Sequence, residues 1–348
     1  MSVMRAKKME LLVRKGIKHT IKTGFYLLLL TLFAVSCEQD VSLDALQLVP
    51  CAHHPAPVVA ASIFAFNGEA YVFAGRTTSG KYTNLLWKYT PTSDQWTLIH
   101  TPDSLLPRVS SSVCVLDNEV YLGLGYKGPL HQDKGYLRDF WKFSPATQKW
   151  TRLADFPANT TVKNCFFAED GAIYALYGFY REFTRDVYRY DIQKNIWEKI
   201  PVRVSEKMDE TLPRAMDIVG ATCQGRHFFG TGFHRNSLTF WAEWDATKGE
   251  FVARNDILGS GRNAVACCAT SDYIYLAGGR HYGDTLTTGF FYNTVQKYSP
   301  IDNQWNYVGS FSYKAENILM TSLNERIYIG LGETPDGKIR NNWYRIEE

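Results

Sequence analysis

The chain has 348 residues, and its 38 basic and 35 acidic residues leave a net charge of +3. Seven basic residues and one acid, Glu10, fall in the first thirty-six positions, so the remainder carries 31 basic and 34 acidic residues, a net of −3. That balance excludes the clear basic excess that a nucleic-acid partner would require.

Arg5, Lys7, Lys8, Arg14, Lys15, Lys18 and Lys22 form a basic leader, followed by an apolar run from Phe25 to Phe33 and then Ala34-Val35-Ser36-Cys37. That order is a secretory signal, and its apolar run is roughly half of what a spanning helix needs. Ala-Val-Ser-Cys resembles the lipobox of bacterial lipoproteins. The resemblance implies cleavage before Cys37, acylation of that cysteine, and a membrane partner held through the lipid. Each buried CH₂ adds ~0.8 kcal/mol, so several chains hold far better than one. Glu38, Gln39 and Asp40 resemble the surface-export signals of some Gram-negative lipoproteins, which implies the outer membrane or cell surface, with a periplasm-facing anchor as the alternative. The expected layout is a removed signal over 1–36, a linker over 37–44 and one folded domain over 45–348.

Length alone allows two domains, but an internal repeat overrides it. An alternating apolar strand ending in glycine recurs six times: Tyr71–Gly75, Tyr121–Gly125, Tyr174–Gly178, Phe228–Gly232, Tyr275–Gly279 and Tyr328–Gly332. These anchor glycines are 50, 53, 54, 47 and 53 residues apart. After each of the first five, an aromatic or polar strand leads by a nine-residue step to Trp96, Trp150, Trp197 and Trp305, with Phe251 in the degenerate fourth repeat. Period-two alternation reads as strands buried on one face against a neighbouring sheet. Lone sheets of this kind cannot cover both faces, so they close into a ring. Glycines followed by a tryptophan at a period of roughly fifty residues resemble kelch repeats, and the resemblance covers nearly all of the chain after the leader. It implies an all-β, six-bladed propeller of four-stranded antiparallel blades, over about 57–102, 108–157, 161–203, 214–257, 261–312 and 314–348. Blade six lacks an outer strand, and Ala45–Pro50 reads as the orphan that closes it. A monomer is expected.

Six further cysteines are Cys51, Cys114, Cys165, Cys223, Cys267 and Cys268. Cys114 and Cys268 share a register on innermost strands of opposite blades, too far apart for the ~7 Å limit of a disulfide. Small buried thiols are the better reading. Metal-type spacing is absent, and no cofactor is called for.

Tight turns such as Asn67-Gly68 mark one face as scaffold. The other face carries longer, varied loops, where functional residues concentrate. Basic residues recur there where each innermost strand begins: Arg108 and Arg214 (both in Leu-Pro-Arg), Arg262 and Lys314, with Arg76, Arg235 and Arg280 nearby. A cationic channel mouth on an acidic protein would focus an anion, and guanidiniums hold carboxylates bidentately. The competing expectation is that these arginines tie blades through pairs with Asp209, Glu210, Asp217 or Glu316. The leading function is a binding module for an acidic glycan or a protein ligand. The alternative is a small-molecule enzyme resembling the sialic-acid mutarotases, with Glu210, Glu333, His234 and His281 as candidate acids and bases. Galactose oxidase shares the superfamily, but its tyrosine–histidine–cysteine copper set has no matching motif; His53, His54 and Cys51 are the weak substitute. The connection from Val202 to Pro213 is long enough to cover the mouth.

Overall fold

The computed structural model describes residues 43–128, 133–159, 161–203, 212–283 and 289–347. The leader with Cys37, and also His131, Asp209 and Glu210, lie outside them, as does most of the Val202–Pro213 connection.

Blade two shows the pattern. Ser112–Leu116, Glu119–Gly123, Phe140–Ser144 and Lys149–Arg152 pair in sequence as an antiparallel meander. Five further sheets repeat it, giving the six-bladed all-β propeller expected from the repeat. The sixth sheet is completed from the other end of the chain. Gln47–Cys51 pairs antiparallel with Trp343–Glu347, from Gln47 opposite Glu347 to Cys51 opposite Trp343. The orphan strand therefore closes the ring, as its sequence predicts.

The repeated tryptophans are blade-to-blade staples. Trp96 Nε1 donates to the Ala52 carbonyl (2.8 Å), Trp150 to His100 (3.0 Å), Trp197 to Ala154 (3.2 Å) and Trp305 to Asn255 (2.9 Å). Each acceptor lies in the outer segment before the staple's own blade. Beside three of them a turn residue adds a second tie: Asp94, Asn195 and Asn303 each accept from the backbone N–H of the stapled region and from a strand tyrosine hydroxyl. Phe251 has no ring N–H, so blade four lacks this staple; it packs instead on Trp244 (5.0 Å) and Phe229 (5.1 Å). Between blades the core is aromatic. Phe140 and Phe156 each meet Trp197 at a ring distance of 5.0 Å, and a fully buried ring such as Phe140 or Phe156 contributes roughly 1.5–3 kcal/mol.

Among the described residues all six cysteines are free thiols. Cys114 and Cys268 lie opposite Tyr121 and Tyr275, the same register in blades two and five. Burial pushes the Cys165 thiol up to about 12.

The closing segment also buries His54, which is inaccessible to solvent and sits edge-on to Trp87 (5.8 Å) and Trp96 (4.6 Å). Its Nδ1 donates to the Ala56 carbonyl (2.6 Å), leaving the buried Nε2 without a partner. His53 is exposed and does not join it, so the copper alternative finds no cluster of metal ligands among the described residues. Burial lowers the His54 pKa from 6.5 to about 4, and that of His227 likewise. Between those values the unfolded chain binds the proton and the folded chain does not. Stability is therefore full above pH 6.5 and falls as pH drops toward 4, by about 3 kcal/mol for His54. Urea unfolding at pH 7 and pH 4.5 should show a shallower pH dependence for His54→Gln than for the parent protein; an unchanged slope contradicts this.

Candidate functional site at the channel mouth

One backbone device builds the mouth six times. At the end of each second strand two consecutive residues take positive φ: Leu124 (59°) with Gly125 (80°), Thr231 (58°) with Gly232 (92°), Leu331 (56°) with Gly332 (95°). Only glycine fits the second position of blade two, where a Cβ would stand 2.4 Å from the Val109 carbonyl oxygen. The turn swings the chain so that the anchor N–H reaches the next connection. Gly75 N donates to Arg108 O, Gly125 to Thr161 O, Gly232 to Arg262 O and Gly279 to Ala315 O.

The residue after each anchor glycine then pairs with the start of its own blade's innermost strand. Arg76 faces Val59, Tyr126 faces Val109, Phe179 faces Val162, Phe233 faces Met216, Arg280 faces Asn263 and Glu333 faces Glu316. Next to each start residue stands one more at positive φ: Ala60, Ser110, Lys163, Asp217, Ala264 and Asn317. These six begin a channel of about 220 Å³ that runs between the innermost strands past Cys165 and Cys267.

The ring is divided. Blades five, six and one contribute Asn263, Arg280, Glu316, Glu333 and Arg76. Blades two, three and four contribute Val109, Tyr126, Val162, Phe179, Met216 and Phe233. Aromatic contacts carry the second arc onward, from Tyr82–Tyr126 (6.4 Å) to Phe179–Phe183 (5.2 Å), Phe183–Phe233 (6.1 Å) and Phe233–Tyr282 (5.6 Å). Two ion pairs close within the ring: Arg76 with Glu333 (2.8 Å) and Lys163 with Asp217 (2.7 Å). Asp217 Oδ2 also accepts from Ala264 N (2.7 Å) and Asn263 Nδ2 (3.2 Å). Burial works against the Lys163 charge, yet the Asp217 carboxylate holds its pKa above the usual value.

The arginines predicted to form the mouth divide on register. Arg108 and Arg262 occupy equivalent positions, one residue before the bridged Val109 and Asn263, and both point into the blades. Arg108 is fully buried and forks onto Asp139 (2.9 and 2.6 Å) while donating to the Leu124 carbonyl (3.1 Å). Its partner is thus Asp139 of its own blade, not any of Asp209, Glu210, Asp217 or Glu316. Blade five has Thr294 where blade two has Asp139. Arg262 therefore bonds Thr294 (3.2 Å) and the Gly278 carbonyl (3.3 Å) under the Tyr292 ring (3.7 Å), and burial lowers its pKa to about 10. Neither is exposed to solvent. Arg214 and Lys314 stand one position earlier, before Ala215 and Ala315, and are exposed outside the ring. Arg235 is exposed at a hairpin turn, with φ +63°. Only Arg76 and Arg280 stand on the inner ring. The expectation of a uniformly cationic mouth is corrected to three cations facing three carboxylates.

The acid–base candidates also separate. His234 and His281 are equivalent positions of short hairpins in blades four and five. Each Nδ1 bonds a carbonyl of the preceding connection, Arg214 O and Gly261 O (2.7 Å) respectively, and each ring lies on a phenylalanine, Phe183 or Phe290. They fasten hairpins. Glu333 is on the ring but paired with Arg76. Sequence reasoning missed Lys163, Tyr126, Phe179 and Phe233 as site residues and treated Asp217 and Glu316 only as counterions.

The KLHDC2/KLHL20/DRC7 Kelch-repeats domain matches residues 36–232, and the Kelch motif matches 261–312. A putative F-box/kelch-repeat protein of Arabidopsis thaliana is 30% identical over 125 residues, 36% of this chain and 32% of that one. N-acetylneuraminate epimerase of Yersinia enterocolitica is 23% identical over 208 residues, 57% of this chain and 44% of the relative. N-acetylneuraminate epimerase 1 of Escherichia coli is 24% identical over 229 residues, 64% of this chain and 52% of the relative. The chain thus spans between a third and about half the length of these relatives. The solved "Structure of YjhT" superposes with a TM-score of 0.67 at 14% identity, covering 84% of this chain and 96% of that one, a likeness of fold.

Breaking a buried ion pair costs about 3–5 kcal/mol because it leaves an uncompensated buried charge, whereas Arg262 bonds only neutral groups, Thr294 and the Gly278 carbonyl, and leaves no charge behind when removed. Arg108→Met should therefore lower urea-unfolding stability by about 3–5 kcal/mol, and Arg262→Met by less than half as much. Equal losses would contradict the assignment of Asp139 as the partner that matters.

Proposed function

The chain belongs to the kelch-repeat family, and from that premise we propose that it is a binding module taking an anionic glycan, or an acidic segment of a protein partner, at the channel mouth. The observation that carries the reading is Arg280. Its guanidinium lies over Tyr282 (4.2 Å) and Phe291 (4.8 Å), and among the described residues its buried Nε has no hydrogen-bond partner and no carboxylate pairs with it. A guanidinium fixed between rings, with free donors and an aromatic arc across the ring, suits an anion carried on an apolar body. The varied loops around it are held by a rigid frame. Fold does not give function, and the reading rests on these residues.

A second reading is a sugar-acid mutarotase, favoured by the similarity to proteins named N-acetylneuraminate epimerase. One experiment separates the two. Uronic and sialic acids are titrated into the protein by NMR, with anomeric exchange followed in the same spectra. Binding without faster exchange, weakened at least tenfold by Arg280→Ala, supports the module. Faster exchange supports the enzyme. Neither would leave the protein partner and overturn the sugar.

The proposal also sets the propeller on a lipid at Cys37, supported by the basic leader, the short apolar run and Ala34-Val35-Ser36 before it. Labelled palmitate should enter the parent protein and not Cys37→Ser, which should also leave the membrane fraction; label in the variant would contradict the anchor.

A further inference from the structure

The inner ring holds three cations and three carboxylates, and they do not pair off evenly. Arg76 closes with Glu333 and Lys163 with Asp217 at ion-pair distance. Arg280 and Glu316 remain. They stand on adjacent blades, each in the strand pairing that forms the ring: Arg280 beside Asn263, Glu316 beside Glu333. Arg280 and Lys163 both bear on the Glu316 carboxyl, and so do Asp217 and Glu333 with the opposite sign. Yet among the described residues Glu316 makes no side-chain hydrogen bond and no ion pair with Arg280. The stacking on Tyr282 and Phe291 holds the guanidinium in place, and its Nε stays unbonded.

Resting on the reading of the mouth as a ligand site, we propose that Arg280 and Glu316 form an open dipolar receptor whose ligand carries a carboxylate and an ammonium group on one small apolar framework. Arg280 takes the carboxylate and Glu316 the ammonium. The aromatic arc of Phe179, Phe233 and Tyr282 takes the apolar body. A ligand with only a negative charge would place it beside the unpaired Glu316 carboxylate as well as beside Arg280, and like charges brought together in a partly desolvated site oppose binding. A ligand with both charges satisfies both groups. Burial holds the Glu316 carboxyl above its ordinary pKa, and an ammonium beside it would favour the ionised form.

The test compares three small sugars by calorimetry on the full protein: glucuronate, glucosamine and 2-amino-2-deoxyglucuronate, at pH 7 and low salt. The zwitterion should bind at least tenfold more tightly than either singly charged sugar. Glu316→Gln should bring its affinity down to that of glucuronate, and urea unfolding checks that the variant folds as the parent does. Should glucuronate bind as well as the zwitterion, the dipolar receptor is overturned while the anion-binding mouth stands. Should glucosamine match the zwitterion, the role of Arg280 is overturned. If none of the three binds, the receptor fails together with the sugar form of the reading beneath it, and the acidic protein segment is left as the ligand; the comparison on the parent protein decides this without any variant.

Discussion

The structure depends on the swing of the backbone at the six anchor glycines. Two successive residues at positive φ turn the chain out of the second strand. The turn brings the anchor N–H onto the connecting carbonyl of the next blade in four of the six cases, and it throws the following residue to the rim of the channel. Ring assembly and mouth chemistry therefore share one cause. The residue after the glycine is free to vary because the hydrogen bonds that place it come from the backbone. Arg76, Tyr126, Phe179, Phe233, Arg280 and Glu333 differ in charge and size at one repeated position. A Cβ on Gly125, by contrast, would collide with the backbone of the innermost strand, so the frame constrains the glycine and leaves its neighbour to function.

Much of this frame is legible in the sequence, because it is written in local, repeated signals. The glycine spacing, the nine-residue step to each tryptophan, the degenerate Phe251 and the orphan strand near Ala45–Pro50 all describe backbone events, and the closing strand pairs where the pattern requires. The mouth was only partly legible. Leu-Pro-Arg occurs twice, which suggests equivalent arginines at 108 and 214. The bridges align Arg108 with Ala215 instead, and a shift of one residue moves a side chain from the blade interior to solvent. The partner of Arg108 lies 31 residues away across a hairpin, a distance that no local pattern reports. A usable signal was present all the same: the residue directly after each anchor glycine spells out the inner ring.

The frame and the mouth use polar groups differently. In the frame many are matched, while among the described residues His54 Nε2 and the indole N–H groups of Trp87, Trp241, Trp244 and Trp343 have no partner. Arg108 meets Asp139, the stapling tryptophan indoles meet carbonyls, and His234 and His281 hold their hairpins to neighbouring connections. In the mouth the matching is incomplete: Arg76 pairs with Glu333 and Lys163 with Asp217, while among the described residues Arg280 and Glu316 are left open. A structural network left partly unsatisfied would cost stability and return nothing; at a binding surface the same incompleteness is what a ligand completes. In the proposed site the two halves of the ring would supply the polar orientation and the apolar contact that small-ligand sites combine.

The central claim is that the arginines differ in kind, with Arg280 open to an anion and Arg108 and Arg262 closed into the blades. Diffraction from a bromide-soaked crystal, recorded at the bromine absorption edge, addresses it most directly. The account predicts an anomalous peak against the guanidinium of Arg280 within the ring and none at Arg108 or Arg262. Peaks at the two buried arginines, with nothing at Arg280, would contradict it.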